Sequence, residues 1–310
     1  MNRETIVKRE WQFDVLKCIS CILVVLYHYP LPGVVGEIII YAFRFPVPMF
    51  CMITGYFAYE KDNKWILSKA IYIGKLIFFT ELAHGAIKIL LLCLGDENMG
   101  NLFPAFSNVM DAFFFVVQKL LCGSFFNGTL WYLYGAFWSY FLIIAFRKMK
   151  ISDSLCIVVI TVLLSINVLG RYYVQHNYNI NEYVWLFRNA LTMIFPLTLT
   201  GMMIRKYRLA LKRRFDVKKS LVIVLVGNMM IVLEYIMNGQ YMDFHYSTFV
   251  ITVGLFLFAM TYNGIETPVL RLLSDVGRKW SMWIYILHPF ASEVYQVFNA
   301  ILRLFATLRG

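Results

Sequence analysis

Charge is what this chain has little of. Only 15% of its 310 residues are charged, against about 25% in soluble domains. That shortage excludes an ordinary water-soluble fold. No Walker loop, GxSxG, HExxH or nucleotide-binding glycine pattern appears, so the commonest signatures of NTPases, serine hydrolases and zinc proteases are missing. Cysteine is sparse: six occur. The close pair Cys18 and Cys21 lies inside an apolar run, with no second pair at zinc spacing, so neither a metal site nor a disulfide framework is expected. No small-residue cleavage site follows the first apolar run, which therefore reads as a span rather than a leader. No internal repeat is evident, and an inverted-repeat transporter thereby lacks its sequence mark.

What is present is apolar and aromatic. Hydrophobic residues make up 60% of the chain and aromatics 17%, with 20 Tyr and 27 Phe. These values predict an all-α, polytopic membrane bundle in which aromatics sit at the bilayer interfaces. Apolar runs of spanning length fall at 13–32, 36–59, 66–94, 129–146, 153–170, 187–204, 220–237, 246–263 and 281–306, which gives about nine to ten transmembrane helices. The Phe-rich stretch 102–127 is broken by Pro104, Asp111, Lys119 and Gly123, and is expected to be re-entrant or interfacial. Residues 1–310 read as one integral membrane domain without a separate soluble domain.

The net charge of +11 is a matter of topology, not of nucleic acid. Basic residues gather at Arg3, Lys8 and Arg9, at Lys61, Lys64 and Lys69, and at Arg147, Lys148 and Lys150. They gather again at Arg271, Arg278 and Lys279, and most densely in the loop 205–219. Alternate loops carry few, Arg171 and Arg188 among them. The positive-inside rule then places the N-terminus in the cytosol. The loop 205–219 reads first as a topology determinant near anionic lipid. Its functional reading is a landing site for a polyanionic cytosolic ligand.

Ionisable groups inside spans are candidate functional residues. Eleven residues separate Lys17 from His28. Eleven steps of 100° bring the two to one helix face, about 16 Å apart along the axis. Asp14, three residues before Lys17, can pair with it. In the second span Arg44 stands beside Pro46 and Pro48, which interrupt the backbone ladder. Such backbone at membrane depth is buried in protein or lines a cavity, and Arg44, which keeps its proton, is expected to face that cavity. The run closes on Thr54-Gly55-Tyr56. The third span aligns Glu81, His84 and Lys88, either as a self-neutralised polar stripe or as part of a site. The last aligns Ser281, Tyr285 and His288 ahead of Pro289. Trp131, Tyr132 and Tyr134 open a middle span, where an aromatic belt is the simple reading. Asn228 and Glu234 read as interhelical contacts. His176 and His245 fall between spans and read as solvated.

These motifs together resemble the membrane-bound acyltransferase-3 family. Its acidic residue, then Arg or Lys, then ten residues and His is similar to Asp14, Lys17 and His28. An aromatic-rich run ending in Ser/Thr-Gly-Tyr/Phe is matched by Val47-Pro48-Met49-Phe50 and Thr54-Gly55-Tyr56. Trp131-Tyr132-Leu133 and the run from Ser281 through Tyr285 to His288 complete the order over nearly the whole chain. Lys17 stands where Arg is commoner, so a bidentate phosphate fork is lost.

The resemblance implies transfer of an acyl group, most often acetyl, from cytosolic acyl-CoA to a hydroxyl of an envelope glycan or lipid-linked sugar. The enzyme would work in a bacterial cytoplasmic membrane. It needs no tightly bound cofactor, since acetyl-CoA is a substrate. The bilayer, the donor and the glycan are the partners, with a homo-oligomer left open. A neutral imidazole suits activation of a sugar hydroxyl, which makes His28 the expected base, with Asp14 and Lys17 shaping the donor path. Arg44 is expected to stabilise an oxyanion or hold a phosphate. Thr54, Tyr56, Glu81, His84, Trp131, Tyr285 and His288 are expected to line the substrate cavity. The alternatives are a membrane transporter or channel-like domain passing a small amino acid or sugar through the same cavity, and a scaffold in a polysaccharide export complex.

Overall fold

The computed structural model describes residues 10–97, 106, 108–123, 125–238 and 244–307. Arg3, Lys8, Arg9, Pro104 and Arg309 lie outside them. Among the described residues the chain is helical, without a strand. It divides into two compact units.

Unit one combines Met1–Ile53 with Ile204–Tyr285. Its first helix, α1 (Trp11–His28), is followed by α2 (Val34–Ala42). Gly33, at φ +73°, makes the left-handed turn between them that a side chain would strain. α3 (Pro46–Ala58) begins on two prolines, where a first helical turn has no need of their missing N–H groups. The returning chain supplies α10 (Arg208–Arg214), α11 (Val217–Asn238), α12 (Tyr246–Thr261) and α13 (Pro268–Lys279). Phe13 on α1 packs on Phe256 of α12, ring centroids 4.7 Å apart. α13 lies against α1 so closely that a Cβ at Gly277 would stand 1.8 Å from the Asp14 carbonyl oxygen. α11 and α12 are joined by a polar clasp. Glu234 accepts from the backbone N–H and the hydroxyl of Ser247, and His245 lies 3.5 Å from the same carboxylate.

Unit two combines Thr54–Met203 with Ile286–Gly310. It holds α4 (Asn63–Cys93), α5 (Val109–Cys122), α6 (Trp131–Lys148), α7 (Asp153–Asn177), the short α8 (Ile180–Tyr183) and α9 (Phe195–Lys206), which runs on into unit one. The last helix, α14 (Ser281–Thr307), starts in unit one and continues here. Side-chain oxygens begin three of these helices, at Asp62, Asn108 and Ser152, each accepting an otherwise orphaned N–H. Arg147 closes α3 from the other direction by donating to the carbonyls of Ala58, Tyr59 and Lys61.

Among the described residues, five helices are long and apolar enough to cross a membrane: Trp11–His28, Asn63–Cys93, Gly128–Lys148, Asp153–Asn177 and Val217–Met237. That is fewer than the nine to ten expected from apolar runs. The expected run 36–59 is cut at Phe43-Arg44-Phe45, ahead of the two prolines. The run 187–204 starts as a wide π turn over Ala190–Ile194 before α9, because Asn189 accepts from the N–H groups of Leu191 and Thr192. The run 246–263 becomes the 16-residue α12. The run 281–306 is a continuous helix, α14, with Pro289 inside it. The 14-residue α5 within 102–127 is too short for a bilayer core.

Four local expectations are corrected. His245 is 8% exposed and caps α12 instead of facing solvent. Asn228 donates to the Val224 carbonyl of its own helix, one turn back, instead of bridging helices. Arg171 is inside α7 and 3% exposed, its guanidinium 5.4 Å over the Phe187 ring, instead of in a loop. The basic segment 205–219 is largely helical, forming α10 and the start of α11.

Candidate functional site

The sequence-expected residues fall into two clusters, one in each unit. In unit one, Asp14 and Lys17 form the expected pair across one turn of α1, 3.1 Å apart. Both are mostly covered, with side-chain exposures of 12% and 25%. Desolvation strengthens such a pair relative to a surface one. One turn further along this face, the Cys21 thiol is buried and donates to the Ser281 carbonyl, 3.3 Å away. The face ends at His28, the last residue of α1, which is exposed.

Arg44 comes to that same end of α1. It lies in the break between α2 and α3, and its guanidinium sits 4.4 Å from the centroid of the Tyr27 ring. It also donates to the Tyr27 hydroxyl. A planar cation stacked on a phenol and bonded to its oxygen holds a fixed orientation. The Tyr27 ring in turn packs edge-on to the His28 imidazole, centroids 5.4 Å apart. Unit one thus assembles a part-buried ion pair near the start of α1 and an imidazole, a phenol and a guanidinium at its end. Tyr285 belongs to the same unit and is 7% exposed.

In unit two, Glu81 and His84 are both committed to partners. The Glu81 carboxylate accepts from the backbone N–H groups of Phe125 and Phe126, each at 3.1 Å, and from the Tyr134 hydroxyl at 2.9 Å. It gathers α4, the turn before α6 and α6 itself around one charge. His84 is fully buried. Its Nδ1 is 2.7 Å from the Glu293 carboxylate of α14, and its ring stacks on Phe290 at 4.0 Å. The other Glu293 oxygen accepts from Asn127 Nδ2 at 3.0 Å. Lys88 pairs instead with Glu97 at 2.9 Å.

The remaining expected residues also belong to unit two. Trp131 starts α6 beneath the Arg188 guanidinium, 5.9 Å away. Tyr56 is fully buried. Thr54 is half-buried beside Gly55, where a Cβ would stand 1.8 Å from the Thr198 carbonyl oxygen. The glycine of that motif is therefore required for backbone contact with α9. His288 is 7% exposed.

Sequence reasoning missed Glu293 and Asn127. A carboxylate inside the last span was a usable signal for the first. Asn127 reads locally as a turn cap, accepting from the Thr129 N–H and hydroxyl, and its bond to Glu293 joins it to a distant element. Among the described residues no three His, Cys, Asp or Glu side chains group as metal ligands.

The model of acyltransferase family 3, described as an acyltransferase domain, matches residues 10–308. No curated protein and no solved structure matches significantly.

Proposed function

The chain belongs to acyltransferase family 3, and from that premise we propose that it is an acyl-CoA-dependent membrane O-acyltransferase. Its acceptor is a hydroxyl of a cell-envelope glycan or lipid-linked sugar, and its acyl group is acetyl. The N-terminus lies in the cytosol, as the basic loops require, and the protein works in a bacterial cytoplasmic membrane. The shorter apolar helices Pro46–Ala58 and Tyr246–Thr261 add two further crossings to the five long ones among the described residues.

The observation that carries the residue roles is the arrival of Arg44 at the His28 end of α1. A hydroxyl attacking a thioester needs a group to take its proton and a cation for the oxyanion that forms. His28 takes the proton. Arg44 stabilises the oxyanion through N–H groups already fixed by Tyr27. Lys17, about 16 Å back along the same face, is the cation of the donor path, with Asp14 one turn beyond it as its partner. Tyr285, in the same unit, completes the binding surroundings.

The test is acyl transfer to the envelope glycan fraction by protein in nanodiscs, with radiolabelled acetyl-CoA. His28→Ala is expected to lower the rate about 100-fold or more, the range for a lost general base. Full transfer by His28→Ala would remove His28 from the mechanism. Arg44→Ala is expected to lower the rate by a similar factor, while Arg44→Lys, which cannot reproduce the planar stack, recovers only part of it.

A further inference from the structure

Unit one carries a groove of about 690 Å³ outside the residues assigned to acyl transfer. Lys212, Phe215, Asp216, Lys218, Tyr262 and Asn263 line it. A neighbouring recess of about 160 Å³ shares Lys212, Tyr262 and Asn263, and adds Glu10, Trp11 and Arg208. The larger volume is in the range of small-molecule sites, about 300–1,000 Å³.

The groove is predominantly basic. Over 205–219, eight Lys and Arg face one acidic residue, Asp216. The two acids near the groove are already engaged. Asp216 accepts the Lys219 N–H at 2.8 Å and caps α11. Glu10 pairs with Arg205 at 3.5 Å and with Arg208. Lys212 and Lys218 form no salt bridge among the described residues. Partial burial holds the Lys212 ammonium below its ordinary range. Arg208 and Arg205 add to that, against an opposing pull from Glu10. With both acids engaged elsewhere, Lys212 and Lys218 leave an excess of positive charge facing the groove.

The aromatic wall gives the anion a shape. The Tyr262 ring stacks on Phe258 at 5.5 Å and meets Trp11 edge-on at 6.0 Å. Gln12 Nε2 donates to the Tyr262 carbonyl at 2.9 Å. A Cβ at Gly264 would stand 2.3 Å from that ring, so glycine lets the loop close over it. A fixed aromatic wall beside two ammonium groups suits a planar base carrying phosphates.

We propose that this groove binds the phosphorylated adenosine end of the acyl-CoA donor. The proposal rests on the acyl-CoA reading above and gives that donor a place. Trp11, on the recess wall, is six residues before Lys17, about 9 Å along α1. The pantetheine arm therefore starts beside the face that carries Asp14 and Lys17. An anionic lipid headgroup shares the phosphate chemistry but has no base for the Tyr262 side.

The test uses the full chain in phosphatidylcholine nanodiscs, with adenosine 3′,5′-bisphosphate and free CoA titrated by calorimetry. The double variant Lys212→Gln/Lys218→Gln is expected to weaken both ligands about tenfold or more, the scale of one lost charge-assisted hydrogen bond. Should the double variant fail to fold, Lys218→Gln, at an exposed side chain, is expected to weaken both about threefold, as for a screened charge. Unchanged CoA affinity in a folded variant overturns the groove assignment while leaving the acyl-CoA reading intact. Wild-type protein that binds no CoA overturns that reading and the groove with it. A third result identifies a lipid site and also overturns the proposal: the bisphosphate does not bind, and the double variant loses co-purifying phosphatidylglycerol in native mass spectra.

Discussion

A single residue in this protein does different work according to its partners. His28 and His84 both lie in apolar helices. His28 ends α1 in the open, beside the ring that orients Arg44, whereas His84 is sealed between Phe290 and Glu293. The first can exchange a proton with a substrate. The second ties α4 to α14. Glu293→Ala takes the carboxylate away from a buried imidazole and a half-buried amide, and is expected to cost about 3 kcal/mol, read as a lower unfolding midpoint in detergent. Lys212 supplies a pH test. Its folded pKa lies below its ordinary value of 10.5, so between the two the unfolded chain holds more protons. Stability therefore rises with pH through that window, and the full penalty acts below it, at neutral pH. Lys212 is solvent-exposed, so water screens most of this penalty, and Lys212→Met is expected to raise the melting temperature of the ligand-free protein at pH 7 only slightly. The gain should shrink above the ordinary value, where the amine is neutral in both states.

At the scale of elements, breaks matter more than lengths. The interruption at Phe43-Arg44-Phe45 lets Arg44 leave the helical surface and reach Tyr27. The prolines that follow lack the N–H groups a continuous ladder needs. Their presence was legible in the sequence, and so was the resulting break. The destination of Arg44 was not, because it depends on where α2 turns after Gly33. Helix ends are likewise completed by distant residues. Arg147 donates to three carbonyls at the end of α3, and Arg147→Met is expected to cost about 2 kcal/mol, the scale of charge-assisted bonds to otherwise orphaned carbonyls. A thermal melt compared with Arg147→Lys checks it, since an ammonium cannot reach three carbonyls in a plane and should restore only part of the loss. Gly55 shows the opposite constraint. Gly55→Ala sets a methyl group against the Thr198 carbonyl and is expected to lower expression and melting temperature together.

For the whole molecule, orientation follows from the basic segments. A cysteine at Arg213 in a cysteine-free background is expected to react with an impermeant maleimide only in inverted vesicles, and one at Asn177 only in intact cells. The reverse pattern would turn the chain over and place the Lys212 groove away from cytosolic CoA. The sequence by itself determined the helical membrane class, the family motifs, the Asp14–Lys17 pair and the alignment of Lys17 with His28. Those depend on composition and on the 3.6-residue period, which act locally. It overstated the long spans, because apolar runs do not reveal where a cap such as Asn189 or a π turn interrupts them. It placed His245 in solvent, because nothing local records that Glu234 waits one helix away. Only the tertiary structure decided that Glu293 serves His84, that Arg44 meets Tyr27, and that Lys212 and Tyr262 share a groove. Each of those pairs joins residues far apart in the chain, so geometry rather than period brings them within reach.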